Sequence, residues 1–446
     1  MFKVLITFIS VTLNSFLASA QILAFPGAEG WGRFSTGGRG GDVYAVTNLN
    51  NDGPGSLREA VQQGNRTVVF RVSGTIILET DLIISQSNIT IAGQTAPGDG
   101  ICLRKSTLKI KHAHDIIIRY LRVRPGDERG QSLDGIEVRE CENVMIDHCS
   151  VSWTIDEAIN TYHGTKNLTV QWCLISEPLH DSHSYKPHGF GASWGGEHTT
   201  YHHNLFAHAA GRNPSVAGGD GPRAIKMDHR NSVIYNWKHR TCDGKPESIN
   251  IVNNYYKPGP ATELRVKRRL VRIDDTKAKY GFESVWYIDG NVLEGSKDIN
   301  KDNWLGVDYV GNTNGTKNRS LEPFATAPVR TQTAGEAYKL VLENVGSNRP
   351  KRDVLDARIL HEVATGTAPF GNEGIIDSQD DVGGWPQLTS SLALEDADGD
   401  GMSDSWEIEQ GLNSSSPDDR NATSLDASYT NLEVYLNSLA GDLDSK

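Results

Sequence analysis

Asn143-Val-Met-Ile-Asp-His-Cys-Ser-Val-Ser-Trp153 carries the pattern that decides the fold of this 446-residue chain. It opens with Asn, an apolar residue, any residue and a second apolar residue. The same opening stands at Asn88-Ile-Thr-Ile, Asp115-Ile-Ile-Ile and Asn167-Leu-Thr-Val, at intervals of 27, 28 and 24 residues. Counted from each origin, offsets +1 and +3 are Ile89/Ile91, Ile116/Ile118, Val144/Ile146 and Leu168/Val170. Offsets +6 and +8 then read Leu121/Val123, Cys149/Val151 and Cys173/Ile175. Apolar alternation at period two marks strands, and the change of phase between +3 and +6 marks a bend. Units of this size cannot bury their own apolar face, so they must stack, and strand-plus-bend units stack into a parallel β-helix.

Coils of less regular length follow. His202-His203-Asn204, Ile234-Tyr235-Asn236 and Val252-Asn253-Asn254 put Asn where Cys stood, which predicts an Asn ladder through Asn204, Asn236 and Asn254. The longer intervals predict loops on one side of the solenoid, where such folds build their binding face. Cys149 and Cys173 share an offset in adjacent coils, so the pattern allows a disulfide or two stacked thiols. The five cysteines are an odd number, so at least one is free or paired between chains.

Composition bounds the rest. An apolar share of 37% with 22% charged residues excludes both wholesale disorder and a membrane bundle. A net charge of −12 argues against a nucleic-acid coat. Lys3, the apolar run from Val4 and the small residues Ala18-Ser19-Ala20 form an export signal over residues 1–20, with Gln21 the expected mature N-terminus. No later stretch is apolar for long enough to insert in a membrane. The chain is expected to be secreted, outside the cell or in the periplasm, and to act as a monomer.

Several segments carry a resemblance to a known family. These are Phe25-Pro-Gly-Ala-Glu-Gly-Trp-Gly, Gly37-Gly-Arg-Gly-Gly-Asp-Val-Tyr-Ala-Val-Thr, Gly55-Ser-Leu-Arg-Glu-Ala-Val and Val69-Phe-Arg-Val-Ser-Gly-Thr-Ile. In order, and on the β-helix pattern, they resemble the pectate lyases of polysaccharide lyase family 1. The Gly55 segment reads as a short capping helix before the first coil. The resemblance implies an all-β, right-handed parallel β-helix over residues 21–388 and calcium-assisted β-elimination on polygalacturonate. That chemistry needs a cation against the substrate carboxylate, a base for the C5 proton and cationic partners for the remaining carboxylates.

Matched motif to motif, Asp134, Asp156 and Asn160 stand where the family holds calcium. Asn160 replaces the usual acid, and Ser132 stands where some members carry a further Asp. Arg212 matches the family's proton acceptor and Lys186 the lysine that grips substrate carboxylate. A second family arginine falls on Ala217, which leaves Arg223 or Lys226 to replace it. Eight of the fourteen histidines lie in residues 183–245. Of these, His198, His202, His203 and His208 raise a zinc site, but their spacing fits no compact zinc motif, and strand alternation would point His202 and His203 oppositely. Trp153, Trp172 and Trp194 are expected mostly to pack in the core or under loops.

Asp396-Ala-Asp-Gly-Asp-Gly-Met-Ser-Asp-Ser-Trp-Glu407 has the spacing of an EF-hand loop. Side-chain ligands fall on Asp396, Asp398, Asp400, Asp404 and Glu407, a carbonyl ligand on Met402 and the sharp turn on Gly401. A short helix is expected over Trp406 to Leu412, and the run from Asp418 to Glu433 reads as a degenerate second copy. The stretch resembles a dockerin or thrombospondin type 3 repeat, implying a small calcium module over residues 389–446 behind a linker at Gly383-Gly-Trp-Pro. Residues 395–446 hold 13 acidic and 2 basic residues, so the acidity of the chain belongs to this module. Residues 183–245, around Lys186 and Arg212, hold 8 basic and 4 acidic residues, a locally basic face suited to pectin. The rival readings are a pectin lyase on methylated chains, a β-helix polygalacturonase and a non-catalytic carbohydrate-binding solenoid. A polygalacturonase would need paired carboxylates around a water, and its usual series is not found along the coils.

Overall fold

The computed structural model describes residues 21–182, 187–216, 225–274, 282–310 and 317–442. Its strands form three parallel sheets in which each strand pairs with its counterparts one coil away. Sheet 1 has ten strands, from Asp42–Val46 to Val285–Asp289. Sheet 2 has nine, from Gly74–Ile77 to Val292–Leu293, and sheet 3 has nine, from Leu82–Ile84 to Val307–Val310. The chain visits the sheets in the order 1, 2, 3, as in Glu142–Asp147, Ser150–Ser152 and Glu157–His163. This is the expected right-handed parallel β-helix, the hand that twisted strands favour for parallel crossovers.

The pairing register is the one that the repeat predicts. Val144 lies between Ile116 and Leu168, Ile146 between Ile118 and Val170, and Val151 between Val123 and Ile175. All of these side chains are buried in one continuous core. The repeat origins have a backbone reason. Asn88, Asp115, Asn143 and Asn167 have φ of 60°, 55°, 55° and 49°, the left-handed region that Asn and Asp tolerate best among residues with a Cβ. The amides also stack, with Asn167 Nδ2 donating to Asn143 Oδ1 at 3.1 Å. The phase change comes from a second left-handed column, Tyr120, His148 and Trp172, five residues on from the origins.

The buried ladder differs in membership from the expectation. Backbone N–H groups donate along the axis from Cys173 to Asn204 Oδ1 (2.9 Å), Asn204 to Ser232 Oγ (3.2 Å), Ser232 to Asn254 Oδ1 (2.9 Å) and Asn254 to Asn291 Oδ1 (2.9 Å). Asn236 is not a rung. It lies at the following bend with φ 53°, where its Nδ2 meets His208 Nδ1 and donates to the Glu373 carbonyl. The true rung of that coil is Ser232, which does the same work with a hydroxyl. Cys149 and Cys173 are free thiols, and all five cysteines are buried and unbridged.

The outer faces are covered by segments of the same chain. Helix α1 (Leu57–Ala60), capped by Ser56, closes the N-terminal end as expected. Helix α2 (Lys297–Lys301) lies near the other end. The glycines of the N-terminal segment allow it to lie flat on sheet 1. Gly32 N–H donates to Thr169 Oγ1 at 2.9 Å, and a Cβ on Gly32 would stand 2.3 Å from the Val144 carbonyl. Helices α3 (Ala334–Asn344) and α4 (Val354–Thr365) cover sheet 2, packing Val341, Leu355, Ile359 and Val363 on Leu174, Leu205 and Val233. Here Arg124 projects outward from its strand and pairs with Asp353 (2.6 Å) and Asp356 (2.9 Å) at the start of α4.

Residues 383–386, read from the sequence as a linker, pack on the β-helix. Trp385 donates to the Arg124 carbonyl at 3.0 Å, and the Arg104 guanidinium lies 3.6 Å from its ring centroid. Helices α5 (Asp404–Gln410) and α6 (Asn431–Ala440) follow, and Met402, Leu432, Tyr435 and Leu436 bury against Val69 and Ala92 of the β-helix. No helix among the described residues is long and apolar enough to cross a membrane.

Candidate active site

The turn from sheet 2 to sheet 3 brings the predicted acids together. Asp134 precedes the strand Ile136–Arg139 and Asp156 precedes Glu157–His163, its neighbour one coil on. Register places Glu137 beside Asn160, and Asn160 Nδ2 donates to Asp134 Oδ2 at 3.1 Å. The other Asp134 oxygen accepts from the Glu157 N–H at 3.0 Å. Ser132 Oγ, where some relatives carry an acid, donates to Asp156 Oδ2 at 3.1 Å.

The close carboxylate group is Asp134, Asp156 and Glu157, with oxygens within 4.8 Å of one another. Glu157 is a site residue that the motif comparison missed. The family's acid pair is spaced by four, which singles out Asn160 and not the acid adjoining Asp156. Its signal was present in the sequence: a strand that follows a sharp turn carries its first side chain at the rim. Burial, then the Asp156 charge, raises the Asp134 carboxyl above its ordinary value. Three crowded carboxylates with oxygen-only donors fit a hard divalent cation.

Arg212 lies across this group from the next coils. Its guanidinium contacts Glu157 Oε1, lies 3.8 Å from Asp156 Oδ1 and stands 3.8 Å from the Phe190 ring centroid. Ser193 Oγ donates to the same oxygen, Glu157 Oε1, at 2.7 Å. Burial pulls the Arg212 guanidinium below its ordinary value, against the opposing charge of Asp156. A cleft of ≈ 380 Å³ is lined by Glu157, Asn160, Tyr162, Ser193, Arg212, Ser215 and Arg240.

Arg240 is the second residue that sequence comparison did not reach. It sits one coil beyond Arg212, its fork held by both oxygens of Asp243 at 2.6 and 2.8 Å, and Gly211 leaves room for its stem. It supplies a cation to the cleft that Ala217 cannot. Lys226, expected as a substitute, lies elsewhere. It belongs to the sheet 1 strand Ile225–Arg230, where its charge bears on His198. Lys186, Ala217 and Arg223 lie outside the described residues.

The histidines go to separate places. His198 packs on Trp31 and His208 Nε2 meets Glu362 at 2.9 Å. His202 and His203 do not point oppositely, because His203 has φ 54°, which turns its ring back to place Nδ1 2.7 Å from Nδ1 of His202. Trp153 and Trp194 are fully buried, and Trp172 stacks between His148 and His203.

At the C-terminal loop the carboxylates form two overlapping groups, Asp396/Asp398/Asp400 and Asp400/Glu407/Asp419. Asp404, expected as a ligand, instead accepts the Ala397 N–H at 2.8 Å. The Met402 side chain is buried, and its N–H donates to Asp400 Oδ1 at 2.9 Å.

The structure is a parallel β-helix with a carboxylate group facing a half-buried arginine across one sheet edge. The chain is 35% identical over 438 residues to a probable pectate lyase C of Emericella nidulans, matching 95% of this chain and 94% of that relative. It is 34% identical over 429 residues to a probable pectate lyase C of Aspergillus fumigatus, with 95% of each covered. Among solved structures it resembles jun a 1, the major allergen from cedar pollen, with a TM-score of 0.51, 18% identity and coverage of 72% of this chain and 92% of that one. The thermostable pectate lyase PL 47 gives a TM-score of 0.50 at 14% identity, with coverage of 72% and 97%. These two likenesses concern the fold. No protein-family model matches the chain. The chain belongs to the pectate lyase family and is a polysaccharide lyase.

Proposed function

We propose that this protein cleaves polygalacturonate, the de-esterified form of pectin, by calcium-dependent β-elimination after export and removal of residues 1–20. The observation that carries the reading is the Asp134/Asp156/Glu157 group set against Arg212 beside a cleft that Glu157 and Arg212 line. Asp134, Asp156 and Glu157 are the calcium ligands in this reading, and the Asn160 amide steadies Asp134. When bound, calcium draws charge from the substrate carboxylate and so acidifies the neighbouring C5 proton.

Arg212 accepts that proton on its guanidinium. Burial favours the neutral form it needs, and an alkaline medium favours it further. The electrons of the C5–H bond become the C4–C5 double bond as the C4–O bond breaks, and the leaving oxygen takes a proton from water. Arg240 pairs with a carboxylate of the substrate chain, and Lys186 and Arg223 serve the same end. The catalytic unit is assigned to residues 21–388 and the C-terminal calcium module to residues 389–446.

The test is incubation with polygalacturonate at alkaline pH, with calcium or with chelator, following the ultraviolet absorbance of the unsaturated product. Absorbance that rises only with calcium is expected. New reducing ends without that absorbance would mean hydrolysis, and no change of either kind would mean a binding protein. Arg212→Ala is expected to lower turnover by about 10²- to 10⁴-fold with the fold intact. Activity that survives this change overturns its role as base.

A further inference from the structure

The C-terminal loop holds charge in a form that the fold alone does not satisfy. Glu407 is completely buried, yet neither of its carboxylate oxygens has a hydrogen-bond partner. Asp400 is completely buried too, and its Oδ2 is unpartnered, as are Oδ2 of Asp398 and Oδ1 of Asp419. Carboxylates withdrawn from water without partners are strongly disfavoured unless something compensates their charge. The donors are all oxygens, gathered from one turn, one helix and one distant loop. That is the ligand chemistry of a calcium ion and not of a softer metal.

The same loop is wedged against the β-helix. Asp396 Oδ2 meets Arg71, the residue after the sheet 1 strand Arg66–Phe70, at 3.3 Å. A Cβ on Gly401 would stand 3.0 Å from Val43 Cγ1. Met402 is buried in the cluster that joins Val69 to Leu432 and Tyr435.

We propose that Asp396, Asp398, Asp400, Glu407 and Asp419 bind calcium, and that the bound ion fastens the C-terminal segment onto the outer face of sheet 1. Asp419, contributed from beyond helix α5, completes the set in place of Asp404, which belongs to neither carboxylate group. The ion thus joins the EF-hand-like loop to the segment that leads into α6, and α6 carries the apolar side chains that seat on the body. This inference is independent of the lyase reading, since none of its residues lines the cleft.

The test uses the full chain and calcium alone. Calcium is titrated calorimetrically into chelator-stripped wild type, Glu407→Gln, Asp419→Asn and Asp404→Asn, and each protein is then digested with a protease with or without the ion. Calcium should protect the wild-type segment after residue 392 from cleavage. Glu407→Gln and Asp419→Asn should each weaken the C-terminal calcium affinity by at least tenfold and lose that protection, while Asp404→Asn keeps both. Far-UV circular dichroism that matches wild type separates loss of the ion from loss of the fold. Because Glu407→Gln removes a buried charge, it should also melt at a higher temperature than wild type in chelator. Wild-type affinity in both Glu407→Gln and Asp419→Asn overturns the site. Protection that does not depend on calcium overturns the fastening role.

Discussion

Glu157 shows how much a single side chain can hold at this site. It joins the carboxylate group, contacts Arg212 and accepts from Ser193, so in the proposed reaction its charge bears on the cation and the base together. Glu157→Gln keeps the shape and removes the charge. Turnover on polygalacturonate is expected to fall by about 10²-fold, with a higher calcium concentration needed for half-maximal rate. A rate series against calcium checks both. The buried histidines set a second expectation. Burial lowers His203 to about 4 and His229 to about 3, against an ordinary value of 6.5. Both are neutral in the folded protein and become protonated in the unfolded chain below that ordinary value, so the unfolded state binds more protons as pH falls. Stability is full above pH 6.5 and is lost progressively toward pH 4. His229 has no hydrogen-bond partner for either ring nitrogen. His229→Phe should flatten the acid limb of the melting-temperature profile, and an unchanged limb would remove this histidine from the account.

At the scale of elements, the ladder and the helix cover answer different questions. Each ladder rung satisfies a backbone N–H inside the apolar core, where an orphaned donor costs about 1–3 kcal/mol. Asn254 is both acceptor for Ser232 and donor to the His229 carbonyl at 3.0 Å. Asn254→Ala should destabilise the protein by about that amount in denaturant unfolding, without removing any side chain from the cleft. The strand alternation that located the coils was legible because each coil repeats it against a neighbour with the same offsets. Ser232 was not legible as a rung, because a hydroxyl at the ladder position has no sequence signature distinct from a turn serine. Helices α3 and α4 went unread for another reason. Their apolar faces match sheet 2, an outer surface whose exposed side chains the repeat does not specify.

For the whole molecule, one continuous apolar column runs along the axis and the covering segments close it from outside. Cys141, Cys149, Cys173 and Cys242 lie in it, Cys102 is buried outside it, and all five are free thiols. A thiol reagent should find almost no reactive cysteine in the folded protein and five after denaturation, with no reductant needed. Fewer than five in denaturant would mean a disulfide that the fold does not contain.

Asp134 and Asp156 were legible as candidates from the resemblance to the family's motifs, and their separation of 22 residues falls on adjacent coils of this period. Their grouping was not, because Glu157, Arg212 and Arg240 reach the cleft from three different coils whose loop lengths vary. The sequence by itself determined the solenoid, its register and the two acidic regions, because local alternation and fixed repeats act between near neighbours in the chain. Only the tertiary structure decided which carboxylates lie close together, Asp419 beside Asp400 and Glu407 among them, and that the C-terminal segment lies on the β-helix. Those are contacts between residues far apart in sequence, and their partners are chosen by packing and charge across the assembled coils.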